Sequence, residues 1–360
     1  MVDPAKDINN LLADSQNIVI GTGGPAGANG IVAVHSEDGT RTVYAIAPPG
    51  WQSGKCIAYL DESTKEWHAQ PLNSGERLSN QTIVQERHVP NEEKCKCPSI
   101  GAGNAFTQSG LSKVFTTSVK GSFLLSGVGA SARGGGNGTG TIYFSPVDFP
   151  HEAQVCKAFL YWNTIGKLAN EFTSVTLDGN PVTGIKVGQT GDTCWSYESN
   201  KVYRADVRTI VGNTLSKNRL SFNVSGLPHN VANQAGDNQG AALLIIYCDC
   251  KGPKKPISVY DGAYAIGNSV GWAYQLDFGE EKTIKKIGFA VGDGQPFDDG
   301  PIEIGGVDII PGDFGYQTVF SGARGSFMDT LIIEGEFIGN SVKMQSYNDC
   351  LCWFLCVTEG

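Results

Sequence analysis

Long apolar runs, paired metal-ligand cysteines and basic surface are what this chain of 360 residues has least of. No uninterrupted apolar stretch approaches the ~20 residues needed to span a bilayer, so no membrane span is expected. The first residues, Met1-Val-Asp-Pro-Ala-Lys6, show no charged segment followed by an apolar core, and no secretory leader is recognised. Charged residues make up only 18% and the formal charge is -9. Nothing here neutralises a run of phosphates, which excludes nucleic acid as the expected partner. The one compact basic cluster, Lys251, Lys254 and Lys255, reads as a solvated loop. None of the ten cysteines stands in a CxxC pair, and the five histidines are scattered, so zinc spacing is missing. There is neither a Gly-x-Ser-x-Gly elbow nor a cysteine with a local histidine partner, and no enzymatic activity is expected. The Gly-rich stretches 21–24 and 127–140 lack a Gly-Lys-Ser/Thr ending and lead into no helical pattern, so they read as turns rather than phosphate cradles.

What is present is strand language. Glycine is abundant, at 47 residues, and short runs rich in β-branched and aromatic residues recur between Gly, Pro, Asn and Asp. The expected fold is all-β: a jelly-roll or Ig-like β-sandwich preceded by a small β-domain and a short N-terminal helix. Residues 1–16 read as a helical arm: Asp3 caps, Pro4 suits the first helical position, and Ile8, Leu11 and Leu12 share one face. Such a short helix is marginal alone, so that face is expected to dock, either on its own domain or on a neighbouring subunit. Residues 17–85 form the small β-domain and 86–112 a cysteine-bearing linker with Pro90 and Pro98. Residues 113–360 form the large sandwich, with a boundary between two lobes near 255 as one option.

The cysteines leave alternatives open. Cys56, Cys95, Cys97, Cys156, Cys194, Cys248, Cys250, Cys350, Cys352 and Cys356 are an even number, which suits disulfides, with buried thiols and metal ligation as the other readings. The pairs Cys95-Lys-Cys97 and Cys248-Asp-Cys250 are expected to split, one thiol of each turning outward or toward a partner chain. For the linker pair, an interchain bond, an intrachain bond and free thiols all stand. Cys350, Cys352 and Cys356 flank Trp353 and Phe354, which suggests burial.

Phe159-Leu-Tyr-Trp162, Val175-Thr-Leu-Asp-Gly179, Tyr203-Arg-Ala-Asp-Val207, Ala242-Leu-Leu-Ile-Ile-Tyr247, Tyr260-Asp-Gly262 and Val291-Gly-Asp-Gly294 follow one another in an order that resembles a widespread β-sandwich domain of bacterial and archaeal surface and adhesin-like proteins. The resemblance covers about 113–360. It implies a jelly-roll-like fold and a role in surface display, adhesion or assembly, and it carries no catalytic residues. The cysteines and the lack of a recognised leader and wall anchor depart from that pattern.

Two further constellations stand out. Asp293, Asp298, Asp299 and Asp308 lie in glycine-bearing loops, as turn formers or as ligands that wrap a calcium ion, though not at EF-hand spacing. Trp162, Trp195, Trp272 and Trp353 suit core packing or a sugar-stacking platform. The expected function is a non-enzymatic structural subunit of a filament, sheath or coat on a cell, spore or virion surface or outside the cell. It would self-associate through its N-terminal region, with disulfide crosslinks as an added lock. An adhesin or carbohydrate-binding module with a host-surface or glycan ligand is one alternative, and a virion fibre or decoration protein is another. No cofactor other than calcium is expected.

Overall fold

The computed structural model describes residues 18–27, 30–36, 42–47, 49–61, 64–71, 97–98, 109–145, 149–150, 153–192, 194–216, 219–249, 252–267, 272–310, 319–325 and 327–360. The expected N-terminal helix, with Ile8, Leu11 and Leu12, lies outside them. The chain divides into two compact units, Met1–Pro90 and Asn91–Gly360.

In the first unit, strands β1 (Ile18–Gly23), β2 (Ile31–Ser36), β3 (Thr42–Ile46), β4 (Gly54–Asp61) and β5 (Glu66–Pro71) close into a barrel in the order β1-β2-β3-β5-β4. Alternate residues turn inward, and Val19, Val32, Val34, Ala45, Cys56, Ala58 and Ala69 fill the interior. Small side chains suit so narrow a barrel. Gly21 is required, because a Cβ there would collide with the His35 backbone carbonyl on β2.

The second unit runs through β6 (Gly110–Val119), β7 (Gly121–Val128), β8 (Gly140–Tyr143), β9 (Gln154–Gly166), β10 (Ser174–Leu177), β11 (Asn180–Thr183), β12 (Ile185–Thr190) and β13 (Ser199–Asp206). A helix of 8 residues, α1 (Arg208–Leu215), follows. The chain continues through β14 (Ser221–Ser225), β15 (His229–Asn230), β16 (Gly236–Cys248), β17 (Lys255–Ile266), β18 (Trp272–Gly292), β19 (Asp299–Ile304), β20 (Val307–Asp308), β21 (Met328–Ser346) and β22 (Leu351–Glu359). Three antiparallel sheets result. One has the order β12-β13-β9-β16, with β7 and β15 along β16; the second is β20-β19-β21-β18-β22-β17-β6; the third is β11-β10-β14-β8. The fold is an all-β sandwich.

The sheet containing β9 and β16 is the middle layer. On one face Phe159, Tyr161, Val202, Leu244 and Ile246 pack against Val259, Ala290, Phe354 and Val357 of the seven-stranded sheet. On the other, Leu160, Trp162, Tyr203, Leu243 and Ile245 meet Leu177, Phe222 and Val224 of the small sheet, with Val211 of α1. Burial on both faces explains why β9 and β16 read as continuous apolar runs rather than alternating ones. Strands β18 and β21 slip register between Asp277 and Lys282 and again between Ile284 and Lys286. Bulges of this kind bend a strand, and a third core gathers around Tyr260, Phe289, Phe320 and Trp353. Trp162 and Trp353 are therefore core residues, whereas Trp195 and Trp272 are exposed.

Candidate functional site

Two disulfides join segments distant in sequence. Cys97, in the segment that leads from the first unit, is bonded to Cys156 on β9, with Cα atoms 5.0 Å apart. Cys194 is bonded to Cys350, with Cα atoms 6.4 Å apart, and so ties the loop before β13 to the start of β22. Cys248 is also disulfide-bonded, and Cys95 and Cys250 lie outside the described residues. Cys352 and Cys356, candidate bridge residues by sequence, are free buried thiols, as is Cys56. Burial pushes the Cys356 thiol up to about 12 and Cys352 higher still, so neither is a ready nucleophile. The expected split of the Cys95/Cys97 and Cys248/Cys250 pairs falls partly outside the described residues. Residues i and i+2 of a strand share a face, and Cys350 and Cys352 are both buried.

The four aspartates singled out as calcium ligands do not converge. Asp298 exchanges hydrogen bonds with the exposed Asn348, while Asp308, on the two-residue strand β20, accepts from the Ile310 amide. Asp293 and Asp299 are buried, and they belong to a polar end of the sandwich that also contains Asp237, Asp329 and Asp349. Each carboxylate pins a loop. Asp299 accepts from Phe320 N at 2.7 Å, Asp329 from Gly322 N and Ala323 N, and Asp349 from Gln295 N at 2.9 Å. Burial raises all four of these acids above the usual carboxylate range: Asp293 and Asp299 to about 7, Asp329 to about 6 and Asp349 to about 8. Mutual repulsion adds to this at Asp349, which lies near Asp299 and Asp293.

Arg133 is the buried cation of this end. Its Nε lies 3.2 Å from Asp237 and its NH1 3.6 Å from Asp293. The guanidinium sits between the rings of Trp195 and Phe327, at 4.5 and 4.3 Å from their centroids. Trp195 in turn donates its Nε1–H to Asp293 at 2.7 Å. The turn carrying Arg133 is held by Ser131, whose hydroxyl donates to Asp237 at 2.6 Å. The Gly-rich stretch 127–140 is therefore the mount for a buried ion pair. A second buried pair, Arg204 with Asp261, crosses between the large sheets and is joined by the Tyr161 hydroxyl. Here burial lifts Asp261 to about 6 against the pull of Arg204.

Next to Arg133 the inter-sheet core turns polar. Asn200 on β13, Asn163 on β9 and Gln239 at the β16 bulge are buried on adjacent strands. Among the described residues no partner bonds Asn163 Oδ1, Asn200 Oδ1 or either polar atom of the Gln239 amide. Sequence reasoning passed over this row. The signal was the polar triplet Asp237-Asn-Gln239 before Gly240 and Asn163 closing the β9 aromatic run, which looked like strand punctuation.

Among the described residues no group of three or more His, Cys, Asp or Glu is placed to hold a metal ion, and no helix is long and apolar enough to cross a membrane. Fold and site together define a disulfide-bonded antiparallel sandwich whose buried charges tie its loops and sheets to one another. No protein-family model matches the sequence, and neither does any curated protein.

Proposed function

We propose that the chain is a non-enzymatic structural subunit of an extracellular or surface assembly such as a filament, sheath or coat. The observation that carries this reading is the pair of disulfides Cys97–Cys156 and Cys194–Cys350, because such bonds persist in oxidising surroundings. The ten-residue strand β6 at one edge of the seven-stranded sheet gives further support, since an edge offers backbone groups to an added strand. In this reading the N-terminal region, with Ile8, Leu11 and Leu12, docks on the next subunit. Cys97 is occupied by Cys156, so a covalent lock between subunits falls to Cys95 or Cys250.

The test is gel electrophoresis of native-source material, reduced and unreduced, beside electron microscopy of the same sample. Ladders that collapse on reduction and vanish when Cys95 and Cys250 are both replaced by serine, together with visible polymers, are the expected result. A monomer in both lanes without polymer would sink the reading and leave a monomeric glycan-binding module in its place.

A further inference from the structure

The row Asn200, Asn163 and Gln239 holds three side-chain oxygens and one amide nitrogen without a partner among the described residues. The Asn163 amide nitrogen donates to the Lys201 carbonyl at 3.1 Å, and that of Asn200 donates to Asp192 at 3.5 Å. These bonds fix which end of each amide is oxygen, and both oxygens are left without a partner among the described residues. Neither end of the Gln239 amide is bonded there, so its oxygen is free to face the same way. A Cβ on Gly292, at the end of β18, would collide with both Asn163 Oδ1 and Gln239 Oε1. The two oxygens thus close in on the same side of Gly292. Native interiors seldom leave buried polar atoms unmatched without a water or an ion.

Charge decides between the two. Asp237, Asp293, Asp299, Asp329 and Asp349 are all buried at this end, while Arg133 is the buried cation paired with two of them. Water would satisfy the oxygens; where these carboxylates are ionised, a cation also offsets their charge. The donors are oxygens of amides and carboxylates, the set preferred by hard cations. Asp293 directly follows Gly292, and Asp192 touches Asn200. Their carboxylates already accept from Trp195 and from the amides of residues 195 and 197, yet each carboxylate has about four acceptor positions. Half-buried Asp192 and exposed Trp195 give the site access to solvent.

We propose that Asn163, Asn200 and Gln239, flanked by Asp192 and Asp293, bind a hard divalent cation of the calcium type. This inference does not depend on the assembly reading. The test uses the full chain stripped with EDTA and titrated with CaCl2 in scanning fluorimetry, beside KCl at matched ionic strength. A Tm that climbs with CaCl2 and not with KCl is expected, because a ligand of the native state stabilises by mass action. Asn163→Leu and Gln239→Leu should fold, since they remove unmatched buried polar atoms, and should lose that climb. As a second readout, Tb3+ bound there should show tryptophan-sensitised emission that CaCl2 displaces and that both leucine variants lose. No calcium-specific rise in the parent chain, an undiminished rise in both leucine variants, or terbium emission that survives in both of them would each overturn the proposal.

Discussion

Arg133 shows how much one side chain holds at the polar end. It touches two buried carboxylates and two aromatic rings, so removing it strands Asp237 and Asp293 in a low dielectric. Arg133→Met should cost about 3–5 kcal/mol, the usual penalty for breaking a buried pair from one side. Urea unfolding at pH 8.5 measures it. At pH 5.5 the loss should be smaller, because Asp293, with its value near 7, then takes up a proton and no longer needs the guanidinium. An equal loss at both pH values would show that the ring contacts, not the charges, account for the effect. The Arg204 and Asp261 pair offers a contrast. Arg204→Met alone should be destabilising, whereas Arg204→Met combined with Asp261→Leu should recover most of the stability, since replacing both partners of a buried pair by apolar groups is often close to neutral.

At the level of elements, the middle sheet was the most legible part of the sequence. Strands β9 and β16 face a core on both sides, so residues 158–162 and 241–247 are unbroken apolar runs that stand out. Helix α1 was not legible: Thr209, Ile210, Val211 and Gly212 are poor helix formers, and burial of Val211 and Thr214 holds what local propensity does not. The continuity of β18 and β21 was hidden for a different reason. Bulges interrupt the two-residue period, so no single alternation runs through either strand. Cysteine pairing was illegible in principle, because spacing does not say which loops the fold brings together; only the structure joins Cys194 to Cys350 across 156 residues. Replacing both by serine should cost about 2–4 kcal/mol, seen as a lower urea midpoint for the variant than for the oxidised parent, and reducing agent should shift the variant less than the parent.

For the whole molecule, the buried acids set the pH range of stability. Burial holds Asp293, Asp299, Asp329 and Asp349 between about 6 and 8 in the folded state, against about 3.9 for an unfolded aspartate. Between those limits the folded chain binds more protons than the unfolded one, so stability rises as the pH falls from about 8 toward 4. Glu171 works the other way. Burial would raise it, but hydrogen bonds from Lys186, Tyr203 and Lys201 hold it at about 2, so its contribution is present above its unfolded value and fades as the pH drops toward 2. Calorimetry in EDTA should therefore find the highest Tm near pH 5, with a decline toward pH 9 and another below pH 4. A Tm that rises steadily up to pH 9 would mean that the acid cluster is open to water.

The bond from Cys97 to Cys156 also decides where tension travels. A pull arriving along the chain from the first unit enters at Cys97 and passes straight to β9, a central strand paired on both sides, so the intervening span, at a sequence separation of 59, bears none of the load. Reduction would move the point of entry to β6, so the same pull would first peel that edge strand from β17.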